Sequence, residues 1–244
     1  MKWILRNKFW LHFFPLTVFM LFISLSLFSQ SKVSNNNGLS TVNHIRELSN
    51  EIAKNPDNQM INVKKAIPSI VLDLKYATTN NFMHQKLYPP VKTTYLRSPA
   101  AVALKKVVEE LAVQGLGIKI WDAYRPYAVT KLMWEKIKDP RYVADPSKGS
   151  GHNRGISVDL TLINLSTGEE LSMPTGFDNF SDTAHALFSS LPPEILTNRK
   201  VLKTVMEKYG FIQLETEWWH FYLPHSSDFS VLNLSFKQLR KMDK

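Results

Sequence analysis

Apolar positions along the chain change period several times, and each change marks an element. Ile45, Leu48 and Ile52 recur at helical spacing and predict a short amphipathic helix ended by Asn55-Pro56-Asp57-Asn58. Ile70 to Tyr76 reads as a strand. Ala100 to Leu111 is helical, with Val102, Leu104, Val107, Val108 and Leu111 as its buried face and Gly115-Leu116-Gly117 as its stop. Ile118 to Trp121 is a short apolar strand, Tyr127 to Ile137 a helix behind Arg125-Pro126, and Asp139-Pro140 to Gly151 a loop. Ile156 to Ile163 alternates as a strand does, and Asn164 to Gly168 turns the chain into Glu169-Glu170-Leu171. A helix from Arg199 to Lys208 carries Val201, Leu202, Val205 and Met206, ends at Gly210, and feeds a last strand containing Trp219 to Leu223.

Helices and strands thus alternate irregularly, and the turn at Gly168 implies antiparallel pairing. The expected class is α+β, a single domain with a mostly antiparallel sheet flanked by helices and no internal repeat. The main domain is expected over 61–230, preceded by a linker and short helix over 30–60 and followed by a basic tail over 231–244.

The amino end has its own pattern. Lys2, Arg6 and Lys8 precede a mostly apolar run from Phe9 to Phe28, and polar residues follow from Ser29. This predicts a secretory signal over residues 1–29, cleaved after Ser29; the run approaches membrane-spanning length, so an uncleaved anchor is the alternative. Either outcome puts the folded part outside the cytoplasmic membrane, and the expected address is periplasmic or secreted. The membrane is a partner only through that segment.

Composition narrows the chemistry. A chain of 244 residues that is 44% hydrophobic and 11% aromatic is not disordered. It contains no cysteine, which excludes disulfides, a lipid-attachment site and a cysteine cage for metal. Of its formal charge of +9, three cations and no acids lie in the leader. The other basic residues are scattered and no aromatic-interleaved basic motif stands out, so nucleic acid is not an expected partner.

Two separated motifs carry the candidate chemistry: Ser150-Gly151-His152-Asn153-Arg154-Gly155-Ile156-Ser157-Val158-Asp159, and Glu217-Trp218-Trp219-His220. Two imidazoles and one carboxylate make a three-ligand set for catalytic zinc that leaves a fourth position to water, and a further carboxylate beside the last histidine can take that water's proton. His185 and His225 are the competing histidine ligands. Asp159 falls in a strand and His152 in a loop. Glu217 and His220 stand an odd number of positions apart, so in a flat strand they would face opposite ways, and a bend around Trp218 is required. Arg125, in Trp121-Asp122-Ala123-Tyr124-Arg125-Pro126, is either a surface cation paired with Asp122 or a group that stabilises an oxyanion or binds a substrate carboxylate. Asp178, taken alone, is an acid in a loop.

Five segments together resemble the zinc D-alanyl-D-alanine dipeptidases, the group that includes the vancomycin-resistance dipeptidases. They are Asp-Leu-Lys-Tyr-Ala-Thr-Thr-Asn-Asn-Phe (73–82), Asp-Ala-Tyr-Arg-Pro (122–126), Ser-Gly-His-x-x-Gly-x-x-x-Asp-Leu-Thr (150–161), Met-Pro-Thr-Gly-Phe-Asp (173–178) and Glu-Trp-Trp-His-Phe (217–221). The Ser-x-His-x-x-Gly-x-x-x-Asp and Glu-x-Trp-His elements are shared with zinc D,D-carboxypeptidases and hedgehog-like domains. The resemblance implies that His152, Asp159 and His220 hold one zinc ion, that Glu217 is the general base and then acid, and that Arg125 stabilises the transition state. It also implies that Asp178 holds the substrate ammonium and that Ser150 contacts substrate, a small dipeptide. The chain departs at His84-Gln85-Lys86, where the resemblance implies a glycine-containing turn. The alternatives are a peptidoglycan D,D-carboxypeptidase or endopeptidase, marked by an open groove, and a zinc-bearing module that binds cell-wall peptides without cleaving them.

Overall fold

The computed structural model describes residues 39–243; the expected leader, the Ser/Asn-rich stretch as far as residue 38, and Lys244 lie outside the described residues. From the amino end, β1 (Thr41–Val42), α1 (Ile45–Lys54), β2 (Met60–Asn62) and α2 (Val63–Ala66) lead to β3 (Val71–Leu72) and β4 (Tyr95–Arg97). Next come α3 (Ser98–Val113), β5 (Leu116–Asp122), α4 (Tyr127–Lys136), the single turn α5 (Gly151–Arg154) and β6 (Ser157–Asn164). α6 (Pro193–Lys208), β7 (Ile212–Gln213), β8 (His220–Tyr222), β9 (Val231–Leu232) and α7 (Phe236–Arg240) complete the order.

The main sheet has the order β3-β5-β6-β8-β7, with β3 parallel to β5 and the other pairings antiparallel. The class is α+β, as expected. The central strand β6 explains the architecture. Val158, Leu160 and Leu162 point into the larger apolar core, shared with α3 and α6, while Ser157, Asp159 and Thr161 alternate onto the other face. Both faces are covered, because every residue from Ser157 to Ile163 is buried. A second core, built around Tyr76, Tyr88, Tyr124, Met133, Leu234 and Phe236, lies apart from the first.

Several boundaries differ from the sequence reading. In α3 the buried stripe is Ala100, Ala101, Leu104, Val107, Val108 and Leu111, and Val102 is 54% exposed. A stripe at spacings of three and four leaves no place for Val102, which falls on the opposite side of the helix. Each Leu or Val so buried contributes roughly 1.5–3 kcal/mol. The strand expected over Ile70–Tyr76 pairs only at Val71 and Leu72; Lys75–Ala77 then form a 3-10 turn that directs Tyr76 inward. α6 begins six residues earlier than expected, with Pro193 in its first turn, where a missing N–H costs nothing. The expected basic tail is folded as far as it is described. β9 pairs in parallel with β1, and Leu232, Leu234, Phe236 and Leu239 are buried between the cations that hide their pattern in the sequence.

One buried cation ties these parts together. Arg97 is wholly buried. It donates from Nε to the Arg154 carbonyl (3.0 Å), and from its two terminal nitrogens to the carbonyls of Asn58 (2.6 Å) and Ser230 (3.1 Å). Burial lowers its pKa to about 10, so it stays charged at neutral pH. Replacing it leaves three carbonyls without donors. Arg97→Ala is expected to lower unfolding stability by about 3 kcal/mol, the scale of charge-assisted bonds lost in an interior. An unchanged urea midpoint would contradict this.

Candidate active site

Three strands in register build the floor of the site. Asp159 on β6 stands opposite Asp122 on β5 and His220 on β8, so the three side chains form one row across the sheet. The β5–β6 ladder shifts register between Ile120 and Asp122, a bulge at Trp121 that brings Asp122 onto the row. His152 approaches from above. It lies on a one-turn helix, α5, and not in the loop expected from the sequence. The Ser150 hydroxyl caps that turn by accepting from the Asn153 N–H, and Gly155 ends it at φ 73°. Gly151 is required for a different reason: a Cβ there would lie 1.9 Å from Ser157 Oγ.

The turn is bolted to the segment that carries Arg125. His152 Nδ1 lies 2.7 Å from the Ala123 carbonyl, which can only accept, so Nδ1 holds the proton and Nε2 keeps its lone pair. The Arg125 N–H donates to the His152 carbonyl, and the wholly buried Asn153 amide donates to the Arg125 carbonyl and to Thr130.

His152, Asp159 and His220 come together, and among the described residues they alone form a cluster able to hold a metal ion. His152 Nε2 is 3.2 Å from His220 Nδ1 and 3.3 Å from Asp159 Oδ2, and His220 Nδ1 is 2.9 Å from Asp159 Oδ1. A tetrahedral ion with bonds of about 2.0–2.1 Å has ligand atoms about 3.3 Å apart, so the donor set fits zinc in both atom type and spacing. The electrostatics agree. Burial alone would raise the Asp159 pKa, but the two imidazoles hold it far below the usual range, and burial lowers that of His220. His185 and His225 are not in the cluster.

Glu217 precedes β8 in a tight turn closed by the His220 N–H on the Glu217 carbonyl. That turn supplies the bend the sequence demanded, and the Glu217 carboxylate lies 3.7 Å from His220 Nδ1. Burial first, then the charges of Asp159 and Asp178, push its pKa well up. Arg125 is buried, not on the surface. It donates to Asp122 from Nε (3.0 Å) and lies 2.8 Å from it through a terminal nitrogen, which is also 3.9 Å from Asp159. Its guanidinium also lies over the Tyr76 ring, 5.0 Å from the centroid.

Asp178 accepts from the Tyr76 hydroxyl (2.9 Å) and the Phe82 N–H (3.1 Å), at φ 58°. Burial pushes its pKa up to about 7, against the lowering effect of those two donors. All seven residues singled out in the sequence line one cavity of about 290 Å³, together with Tyr76, Phe82, Ser157, Phe177, Trp219 and Tyr222. Sequence reasoning missed the tyrosines. Tyr76 orients Asp178, and Tyr88 donates to Asp122 (2.9 Å); Tyr76 stood inside a recognised segment, but nothing in Tyr88-Pro89-Pro90 signalled a role.

A buried triad able to hold a metal ion, a glutamate beside it and a fixed arginine in a small cavity have the chemistry of a metal-dependent hydrolase. Comparison with known proteins agrees. The family model described as D-ala-D-ala dipeptidase matches residues 56–240, and the chain belongs to that family. A D-alanyl-D-alanine dipeptidase of Escherichia coli strain K12 is 34% identical over 174 residues, covering 71% of this chain and 89% of its own. One from Enterococcus faecalis is 28% identical over 186 residues, covering 68% and 92%. Among solved structures, the LD-carboxypeptidase LdcB aligns with a TM-score of 0.43 and 17% identity over 87% of this chain and 94% of its own.

The cluster predicts that His220→Ala abolishes high-affinity binding of divalent metal while the fold persists. Elemental analysis after dialysis is the check; full metal content in the variant would remove His220 from the set.

Proposed function

We propose that the protein is a zinc metallopeptidase that hydrolyses D-alanyl-D-alanine, or a similar dipeptide of D-amino acids, into free amino acids. The observation that carries this reading is a cavity of about 290 Å³ lined by the metal-ligand triad and by the Asp178 carboxylate. Zinc held by His152, Asp159 and His220 would supply Lewis acidity at the scissile carbonyl and lower the pKa of water toward about 7.

The chain's own groups do the rest. Glu217 accepts the proton of the attacking water on its carboxylate and returns it to the departing amine, and its buried setting favours holding that proton between the two steps. Arg125 arrives already oriented by Asp122, so its guanidinium meets the developing oxyanion without reorganising. Asp178 takes the substrate ammonium as a charge-assisted partner.

Pro140 to Ala144 line the cavity, and Tyr142 donates to the Phe180 carbonyl (2.9 Å) and packs on the Phe180 ring at 4.7 Å. Phe180 in turn meets Phe82 at 5.4 Å. These packed rings brace that wall of the cavity beside Asp178. The leader read in the sequence supports an exported, periplasmic or secreted enzyme acting on dipeptides from the cell wall.

Two predictions follow the mechanism. Glu217→Gln is expected to keep bound zinc and lose at least about 10²-fold in kcat on D-alanyl-D-alanine, the usual scale for a general base; an unimpaired rate would remove Glu217 from the reaction.

The second concerns Asp178. Because its carboxyl ionises only near pH 7 and the dipeptide amine stays protonated to about 8, dipeptide affinity should rise as pH climbs through about 7. Calorimetry with the Glu217→Gln protein reads this without turnover, and Asp178→Asn should flatten the rise. An N-acetylated dipeptide should be cleaved at least about 10²-fold more slowly than the free one, since a buried carboxylate loses its charged partner. Preference for the acetylated form would favour the carboxypeptidase instead.

A further inference from the structure

Arg125 is held from two sides, and both supports lead back to Tyr88, a residue outside the cavity lining. The first support is Asp122. Arg125 places Nε (3.0 Å) and a terminal nitrogen (2.8 Å) on one and the same carboxylate oxygen, Oδ2. The other oxygen, Oδ1, accepts from the Tyr88 hydroxyl at 2.9 Å. The second support is the Tyr76 ring, over which the guanidinium lies at 5.0 Å. Tyr88 packs edge-on against that ring, with centroids 6.0 Å apart, and its N–H donates to the Tyr76 carbonyl (3.0 Å).

Tyr88 is itself fixed. It is buried, and Phe236 of α7 packs on its ring at 5.0 Å. Burial, then the charge of Asp122, pushes the phenol pKa well up, so the hydroxyl remains a donor at neutral pH. The chemistry of a carboxylate says what that donor does. A carboxylate bound at one oxygen alone turns easily about its Cβ–Cγ bond, because that torsion is broad. Asp122 is wholly buried, so an unbonded Oδ1 would have no solvent to satisfy it and would turn toward other donors. His152 Nδ1, 3.7 Å from Oδ2, stands near enough to compete. Any such turn tilts the Arg125 fork that rests on Oδ2, and the Tyr88 hydroxyl on Oδ1 opposes it.

We propose that Tyr88 is a positioning residue for the reaction: its hydroxyl sets the plane of the Asp122 carboxylate, and thereby the orientation in which Arg125 meets the oxyanion. The proposal rests on the dipeptidase reading and deepens it, adding a group that acts only through others. Phe236 belongs to the same chain of contacts, so the folded carboxy-terminal stretch backs the site from behind.

The test sets the transition state against the ground state. Tyr88→Phe removes the hydroxyl and keeps the ring that packs on Tyr76 and Phe236. On the zinc-loaded full-length protein with D-alanyl-D-alanine, kcat should fall about tenfold and KM change less than about twofold, because Arg125 acts on charge that develops only in the transition state. A phosphinate analogue of the dipeptide carries that tetrahedral oxyanion in stable form, and calorimetry should find it bound about tenfold more weakly by Tyr88→Phe. Arg125→Lys has no planar fork for Asp122 to orient, so adding Tyr88→Phe to it should weaken the analogue by less than about twofold. General loss of packing would weaken it by the same factor in both backgrounds. That result, or an unchanged kcat in Tyr88→Phe, overturns the positioning role and leaves the dipeptidase reading intact. Failure of the unsubstituted protein to cleave the dipeptide overturns that reading, and the positioning role with it.

Discussion

Two buried carboxylates standing side by side are the constraint on which this structure turns. Asp122 and Asp159 face each other across β5 and β6, both nearly free of solvent, and like charges in that setting repel strongly. The arrangement holds because each acid has its own cation or imidazoles. Arg125 sits against Asp122 and close to Asp159, and Asp159 is clasped by His152 and His220. Burial favours the neutral form of Asp122, but the Arg125 guanidinium opposes it, and Asp122 in turn keeps Arg125 charged in a place where burial alone would discharge it. Removing any one member would leave the others as uncompensated charges in an apolar interior.

That balance also explains the rigidity built around it. The tautomer of His152 is fixed by a backbone carbonyl, Ala123, two residues before Arg125, and α5 is tied to the same segment by two more contacts. His152 and Arg125 therefore cannot move independently. A site whose charged groups are held by backbone geometry reorganises little as charge develops in a reaction, which is where most electrostatic catalysis comes from. Arg97 extends the same logic outward by anchoring the end of α5 to segments near both chain termini of the described fold.

Backbone strain gathers at the edge of this site. Among the described residues, three other than glycine adopt a left-handed conformation, and one of them, Asp178, lines the cavity. Its φ of 58° turns the carboxylate toward Tyr76 and the Phe82 N–H, and Asp tolerates that conformation better than most residues. His84 does the same in the turn after Asn81, at φ 54°, where the family resemblance implies glycine. The turn survives without it because the Asn81 amide bonds the carbonyls of Lys75, Thr78 and Gln85, holding the loop from inside.

The sequence determined more of this protein's chemistry than of its outline. Periodicity located α1, α3, α4 and β6, because each carries apolar side chains at regular spacing into one of the two cores and that regularity is written locally. The two motifs singled out His152, Asp159, Glu217 and His220 because two imidazoles and a carboxylate with a further acid beside them make a recognisable metal-site pattern in the sequence itself. Tertiary structure decided the rest. The register of β5, β6 and β8 set Asp122, Asp159 and His220 in one row, and register is a pairing between segments that no single segment encodes. Val102 was assigned to the core by its type and excluded from it by its angle on the helix. Tyr76 and Tyr88 became site residues only because the fold carried their hydroxyls to Asp178 and Asp122. The basic carboxy-terminal stretch folded because a few apolar side chains found the second core, a long-range match that local composition conceals.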